Sequence, residues 1–408
     1  MRLGAALCLP LLALAAAGNP DTAPPPEFCL PKDITTLLTS ASHKTCPVPL
    51  GTPERRPQPL WTHAPSCTTT DSETFCVFTD STFGPNGLSL IAPPEAASVL
   101  TPALSQIYHS SFPTKASARN LNLEPAVEVQ DIPGKGKGLV ATRHIKAKET
   151  FLIDHASLVV RAEFLQEVDK GVMWGMLDEA VSRLVDPGVV RRLDRMGRAA
   201  NVVEDVLQTN TFNSDLEVGR SFVVFPLISR INHACKPNSF IRHSRDGIVA
   251  GISAFRDIQP GEEINISYIA LQEPSENRKA LLEKNWGFKC TCSLCTSPSP
   301  VLAASDERRS SLLIQEAEAI SSIHAKDLPK AMERLTRLAD SFAKEEMWPL
   351  LQDINHVLAT VSWVMGRHED AVRYVEKKLD VKDDYGRLEV VDRGPELEEE
   401  MRWIGRPR

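Results

Sequence analysis

Apolar and polar positions along the chain change period several times, and each change marks a different kind of element. Phe75-Cys76-Val77-Phe78 and Leu88-Ser89-Leu90-Ile91, separated by Gly84-Pro85-Asn86-Gly87, predict a strand–turn–strand unit. Val127-Glu128-Val129-Gln130 reads as a short alternating strand. It leads through Gly134-Lys135-Gly136-Lys137-Gly138 into a second strand, Leu139-Val140-Ala141-Thr142. Phe151-Leu152-Ile153 and Leu158-Val159-Val160 continue the β pattern. The period then becomes helical, with Phe164, Val168, Val172, Leu177, Val181 and Leu184 on one face. Leu193, Met196, Ala200, Val203 and Leu207 repeat it, so two helices are expected as an insert over about 162–210. Strands return at Ser221–Phe225, Ile248–Ala250 and Ile264–Ile266. Beyond Ser297-Pro298-Ser299-Pro300 the chain reads as helical, with Pro329 and Pro349 just inside helix starts, where a missing N–H is harmless.

The ends read differently. Arg2, the apolar run Leu3–Leu14 and the small residues Ala15-Ala16-Ala17-Gly18 have the form of a secretory signal over residues 1–17, too short to span a bilayer. Residues 18 to about 65 are rich in Pro and Thr and lack the apolar density to pack alone, which predicts an extended arm. Gly366-Arg367-His368-Glu369-Asp370-Ala371 with Tyr374 resembles part of a tetratricopeptide helix pair, but one match is not a repeat, and a plain helical tail is the simpler expectation. The run Glu396–Glu400 reads as a solvated acidic end.

Composition adds limits. The chain has 408 residues, room for two or three domains, and 42% hydrophobic residues, ordinary for a globular core. A net charge of −7 provides no basic field, so direct nucleic-acid binding is not expected, and a cationic protein substrate is not repelled. No second apolar run reaches spanning length, so no membrane span remains once a signal is removed. Cys29, Cys46, Cys67 and Cys76 precede the strand-rich core and suggest two disulfides with three possible pairings; proximity favours Cys29–Cys46 and Cys67–Cys76.

The chemistry concentrates later. Cys290-x-Cys292-x-x-Cys295 is tight enough to suit tetrahedral zinc, and Cys235 is the remaining core cysteine available as a fourth ligand. Cys235 belongs to the segment Arg230-Ile231-Asn232-His233-Ala234-Cys235-Lys236-Pro237-Asn238, and Gly261-Glu262-Glu263 precedes Ser267-Tyr268. An asparagine offers both donors and an acceptor to an amino-acid zwitterion. Glycines after a strand let backbone approach a ligand closely. In this order, from about Glu128 to Cys295, these segments resemble the SET-domain protein-lysine methyltransferases, in particular the SET-and-MYND group.

That resemblance implies an α+β fold: a SET-domain β-fold with a pseudoknot, a helical insert, a post-SET zinc site and a helical C-terminal domain. It places a SET domain at 126–275, a zinc segment at 276–300 and a helical region at 301–408, after an N-terminal region at 18–125. It implies S-adenosylmethionine and zinc as cofactors, with a protein lysine, possibly histone-like, as substrate. Gly136, Lys137, Gly138, Asn210, Asn232, His233 and Phe288 would contact the methyl donor. His233 would do so through its backbone while ordering the pseudoknot. Cys235, Cys290, Cys292 and Cys295 would bind zinc, and Tyr268 would be the catalytic residue, orienting a neutral lysine amine.

The chain also departs from that group. No cysteine lies between Leu139 and Phe225, so a MYND finger between the SET halves is absent, and the N-terminal cysteines lack the close pairs to replace it. The signal-like start predicts the secretory pathway, whereas the methyl donor and a thiolate zinc site suit the cytosol or nucleus. The sequon Asn265-Ile266-Ser267 lies on a core strand, where a glycan would disrupt packing. Two functional readings follow: an active lysine methyltransferase, or a non-catalytic SET-fold interaction protein of the secretory pathway.

Overall fold

The strand–turn–strand unit expected at residues 75–92 forms one side of the main sheet. The computed structural model describes residues 61–109, 125–216, 219–389 and 392–405. The signal at 1–17, the arm up to residue 60 and the Cys29–Cys46 pairing lie outside the described residues. β1 (Ser66–Thr69), β2 (Thr74–Asp80), β3 (Leu88–Ala92), β7 (Leu158–Arg161), β9 (Gly219–Val224) and β8 (Phe212–Leu216) form a six-stranded sheet in the order β1-β2-β3-β7-β9-β8. β3 runs parallel to β7, so the boundary expected at 125/126 does not interrupt this sheet. Cys67 and Cys76 face each other across β1 and β2 and are joined by a disulfide.

This sheet is covered on both faces. Cys76, Phe78, Leu88, Leu90, Val159 and Val223 turn into the main core. Phe75, Val77, Ile91, Leu158, Val160 and Val224 turn the other way, into a second core with the insert helices. Successive side chains on a strand point to opposite faces. A strand covered on both sides therefore reads as an unbroken apolar run, as β2 and β3 do.

The insert departs from the two helices expected. It is broken into Phe164–Glu167, Lys170–Ser182, Gly188–Arg191 and Val202–Asn210. Val168 is extended, and the Asp169 carboxylate caps the next helix by accepting from the Gly171 N–H. Asn201 caps the last helix through the Val203 and Glu204 N–H groups. The stretch around Leu193, Met196 and Ala200 is loop. There Asp205 reaches back to accept from the Gly197 and Arg198 N–H groups at 2.8 and 3.1 Å.

Smaller pieces complete the core. β4 (Val127–Ile132) and β5 (Gly136–Ala141) form a hairpin, and β11 (Ser239–His243), β12 (Val249–Ala254) and β6 (Thr150–His155) form a three-stranded sheet. β10 (Asn232–His233) and β13 (Asn265–Ile266) form a two-residue parallel pair. The later part of the chain is helical: Ser275–Trp286, Ser299–His324, Leu328–Lys344, Leu351–Val364, His368–Tyr385 and Arg393–Ile404. The acidic end is solvated only in part: Glu398 and Glu399 are exposed, as expected, but Glu396 and Glu400 are engaged. Glu396 is buried and ion-pairs with Lys382, and Glu400 accepts from Lys378 Nζ at 2.5 Å. Leu388, just after His368–Tyr385, packs into the strand core, and its N–H donates to the His243 carbonyl at 3.1 Å. Among the described residues, no helix is long and apolar enough to cross a membrane.

Candidate active site and metal centre

The site forms where β10 threads beside β13. Asn232 is in register with Asn265 and His233 with Ile266, and the Ala234 N–H donates to the Ile266 carbonyl at 3.0 Å. Asn238 stitches the crossing closed. Its Nδ2 donates to the Glu263 carbonyl at 2.9 Å, and its Oδ1 accepts from the Asn265 N–H at 2.8 Å. On the entering side, the turn Ile228–Arg230 is held by Asp154, whose Oδ2 accepts from the Leu227 and Ile228 N–H groups at 2.7 and 2.9 Å. Burial pushes the Asp154 carboxyl up to about 6, although three backbone N–H groups oppose the shift. Neither Asp154 nor Asn238 was expected at the site from sequence.

The glycine turn meets this crossing from the hairpin. Gly134 and Gly136 hold φ of +74° and +73°, in the left-handed region that glycine tolerates. A Cβ on Gly138 would come within 2.5 Å of Ile132 Cγ1 and 2.8 Å of Asn232 Nδ2, so this strand can approach the Asn-His segment only as glycine. Asn232 Nδ2 donates to Glu263 Oε1 at 2.9 Å and to the Lys137 carbonyl at 3.3 Å, and Lys135 Nζ binds Glu263 Oε2 at 2.6 Å. Glu263 therefore ties the asparagine to the glycine turn.

Tyr268 sits one step beyond β13, buried, with its ring 5.3 Å from His233, 5.3 Å from Trp286 and 6.4 Å from Phe288. Its hydroxyl donates to the Ile231 carbonyl at 2.6 Å. Its N–H donates to His233 Nδ1 at 3.0 Å. Nδ1 is therefore an acceptor, and a neutral ring carries its proton on Nε2, 3.3 Å from Cys235 Sγ. The histidine joins the tyrosine backbone to the cysteine cluster.

Four free thiols gather behind it. Cys235 Sγ lies 3.8 Å from Cys290 Sγ and 3.5 Å from Cys295 Sγ, and the Cys235 N–H donates to Cys292 Sγ at 3.4 Å. All four sulfurs fall within 4.8 Å of one another. A tetrahedron with Zn–S bonds of about 2.3 Å has edges of about 3.8 Å, so the donor set fits zinc. Hydrogen bonding to the other three sulfurs pushes the Cys235 thiol up and pulls Cys292 down, because neighbouring sulfurs cannot all ionise without a cation.

The remaining expected residues border the same region. Asn210 ends the helix Val202–Asn210, buried, with Nδ2 donating to the Asp194 carbonyl at 2.6 Å and Oδ1 without a partner. Phe288 lies half-buried, 6.2 Å from His233. Trp286 donates to the Thr209 carbonyl at 3.3 Å, linking the cysteine segment to the helix that carries Asn210. Asp194, in the insert loop, comes closest to Gly136: a Cβ there would lie 3.3 Å from its Oδ2. The orphaned Asn210 oxygen and the Cβ-free glycine edge fit a polar, amino-acid-bearing ligand.

The family profile of the SET domain matches residues 136–269. The chain carries a SET domain. N-lysine methyltransferases are among its curated relatives. Over 173 residues it is 30% identical to the N-lysine methyltransferase SMYD2-B of Danio rerio, covering 38% of this chain and 39% of that protein. Over 74 residues it is 38% identical to the N-lysine methyltransferase SMYD2 of Homo sapiens, covering 18% and 17%. The chain thus spans well under half the length of these relatives. A solved chain from Plasmodium falciparum aligns with 36% of this chain and 96% of its own at 14% identity, with a TM-score of 0.22. The SET match contains Gly136 to Gly138 of the glycine turn, the Asn232-His233 segment and Tyr268, whereas Cys290, Cys292 and Cys295 lie beyond it.

Proposed function

We propose that this chain transfers a methyl group from S-adenosylmethionine to the side-chain amine of a protein lysine. The observation that carries this reading is Tyr268, whose phenol is fixed on the Ile231 carbonyl inside an aromatic wall and whose main-chain N–H donates to the His233 ring. Bound S-adenosylmethionine supplies an electrophilic methyl group on a sulfonium sulfur.

The chain's own residues do the rest. Gly136, Lys137 and Gly138 present an edge of close-approach backbone, and Asn210 and Asn232 offer amide groups to the donor's amino-acid end. Phe288 offers a ring face to its base. The tyrosine hydroxyl donates its proton to the Ile231 carbonyl, so toward an amine N–H its oxygen would act as an acceptor. A free lysine has a pKa of about 10.4, and the aromatic surroundings of Tyr268 disfavour its charged form. Tyr268 then orients the neutral amine, and its contribution is positioning rather than strong base catalysis. Zinc held by Cys235, Cys290, Cys292 and Cys295 would fix the segment carrying Phe288 against the Asn-His turn.

The test is calorimetric and kinetic. The zinc-loaded full chain should bind S-adenosylmethionine and methylate a basic, histone-like peptide. Tyr268→Phe should retain donor binding and lose about 100-fold in kcat. Absence of donor binding with zinc present overturns the reading. The Cys67–Cys76 disulfide supports a second reading, a non-catalytic SET module in the secretory pathway. Methylation that disappears in Tyr268→Phe excludes it.

A further inference from the structure

Two arginines that no part of the proposed reaction uses are buried beside the cysteine cluster. Arg278, on the helix Ser275–Trp286, has a side chain 1% exposed. Its Nη1 donates to the Glu273 carbonyl at 2.8 Å and lies 3.5 Å from Asp306 Oδ1. Its Nε and Nη2 are buried with no hydrogen-bond partner. Burial works against its charge, yet Cys235, Cys295 and Asp306 acting on the guanidinium hold its pKa above the usual value.

Arg309, on Ser299–His324, is also 1% exposed. Its Nη2 donates to the Cys235 carbonyl at 3.2 Å and its Nη1 to the Leu271 carbonyl at 2.7 Å. Its Nε binds Glu345 Oε2 at 2.9 Å. Glu345 directly follows the helix Leu328–Lys344, is 3% exposed in its side chain, and also accepts from Ser305 Oγ at 2.7 Å and Arg308 Nε at 2.6 Å.

Charge gives this arrangement a purpose. A zinc ion with four thiolates leaves roughly two surplus negative charges, here in a site where Cys235 and Cys292 are buried and Cys290 and Cys295 partly so. Buried charge needs a fixed partner, and an unpaired guanidinium is as unfavourable as an unpaired thiolate. We propose that Arg278 and Arg309 are the fixed counter-charges of the four-cysteine zinc site, and that Glu345 makes the hold on zinc depend on the docked C-terminal helices. The proposal rests on the zinc reading of the four cysteines. Arg278 places a buried guanidinium that feels the charge of Cys235 and Cys295, and Arg309 anchors the Cys235 main chain. Glu345 fixes Arg309 from a helix pair outside the SET match, so the helices and the metal stabilise each other.

The full-length chain tests this through zinc release to a chromogenic chelator, with metal content measured alongside. Removing partners that orient metal ligands typically lowers affinity about 10- to 100-fold. Arg278→Gln and Arg309→Met should each release zinc about tenfold faster or more, and Arg309→Lys should recover part of the loss. Glu345→Gln keeps the shape and should accelerate release about threefold, a smaller effect because it acts through Arg309. In cobalt-substituted protein, Arg278→Gln should shift the sulfur-to-cobalt absorption band, which a purely packing role would leave in place. Lys236→Ala, which removes a half-exposed pair with Glu346 between the same regions, should release zinc at the wild-type rate. If an arginine variant does not fold, Glu345→Gln decides. Wild-type release rates in Glu345→Gln and an unshifted cobalt band overturn the proposal while leaving the zinc reading standing. A wild-type chain purified without zinc overturns both.

Discussion

The molecule holds sulfur in two ways, and the contrast explains which part of the chain depends on it. Cys67 and Cys76 are 9 residues apart on adjacent antiparallel strands, already opposite each other in register. Their bond fastens a hairpin that β-pairing has already closed. Cys235, by contrast, meets cysteines 55 to 60 residues away, across the crossing of β10 and β13. That cluster lies beside a crossing held, among the described residues, by a two-residue parallel pair and side-chain clamps such as Asn238. The lesson is that a cross-link's importance follows from how little else holds its ends together.

Removing the metal is the strongest way to break the contrast. Structural zinc contributes on the order of 10 kcal/mol in small domains, comparable to the whole stability of a typical one. Chelation, or Cys292→Ser, should therefore abolish the cooperative urea transition of the SET core. Loss of a mere kcal/mol or two would show that the crossing is self-supporting. Next comes Asn238→Ala, which strands the Asn265 N–H and the Glu263 carbonyl in a partly buried site. Each orphaned group is destabilising by about 1–3 kcal/mol, so the urea midpoint should fall by an equivalent of about 4 kcal/mol.

Asp154 sharpens the comparison through pH. Its folded pKa of about 6 lies above the ordinary 3.8, so the native state holds the proton more tightly than the unfolded chain. Its contribution is fully present below about pH 4 and declines as pH rises to about 6. The stability difference between wild type and Asp154→Asn should shrink by on the order of 3 kcal/mol over that range and stay flat above it. Comparing the two proteins cancels the acid sensitivity of the zinc ligands. A constant difference from pH 4 to 7 would refute the raised value. The smallest effect belongs to the hairpin: Cys67→Ala with Cys76→Ala should lose roughly 2–3 kcal/mol and keep full zinc content. If the double alanine variant loses more than Asn238→Ala, the ranking of the two sulfur regions is wrong.

Legibility from sequence followed the range of each interaction. The Cys-x-Cys-x-x-Cys spacing, the glycine turn and Asn232-His233 are local patterns, and each carries its chemical reason within a few residues. The apolar runs of β2 and β3 were readable because sheet burial on two faces leaves a direct mark. Glu263 was not, because its meaning depends on Lys135, 128 residues earlier, and on Asn232, 31 residues earlier. Arg278, Arg309 and Glu345 look like ordinary helix-surface charges until three helices bring them together. The loop at Leu193–Ala200 has the spacing of a helix, and only Asp205 binding back to Gly197 and Arg198 ends that pattern. Glu396–Glu400 looked solvated because Lys378 and Lys382 belong to the preceding helix. β1, short and polar, gave no periodic signal, and its place follows from pairing with β2.

The parallel pairing of Asn232–His233 with Asn265–Ile266 also fixes an order of events during synthesis. A chain leaves the ribosome from its N-terminus, so the Asn-His segment emerges before the strand that must lie beside it, and the three clustered cysteines emerge later still. Until then Cys235 has none of its sulfur partners, and the glycine turn has no Glu263 to bind. The glutamate that steadies Arg309 arrives after all of them. The site is therefore assembled from its first residues to its last, and a chain ending early keeps the six-stranded sheet but lacks the site.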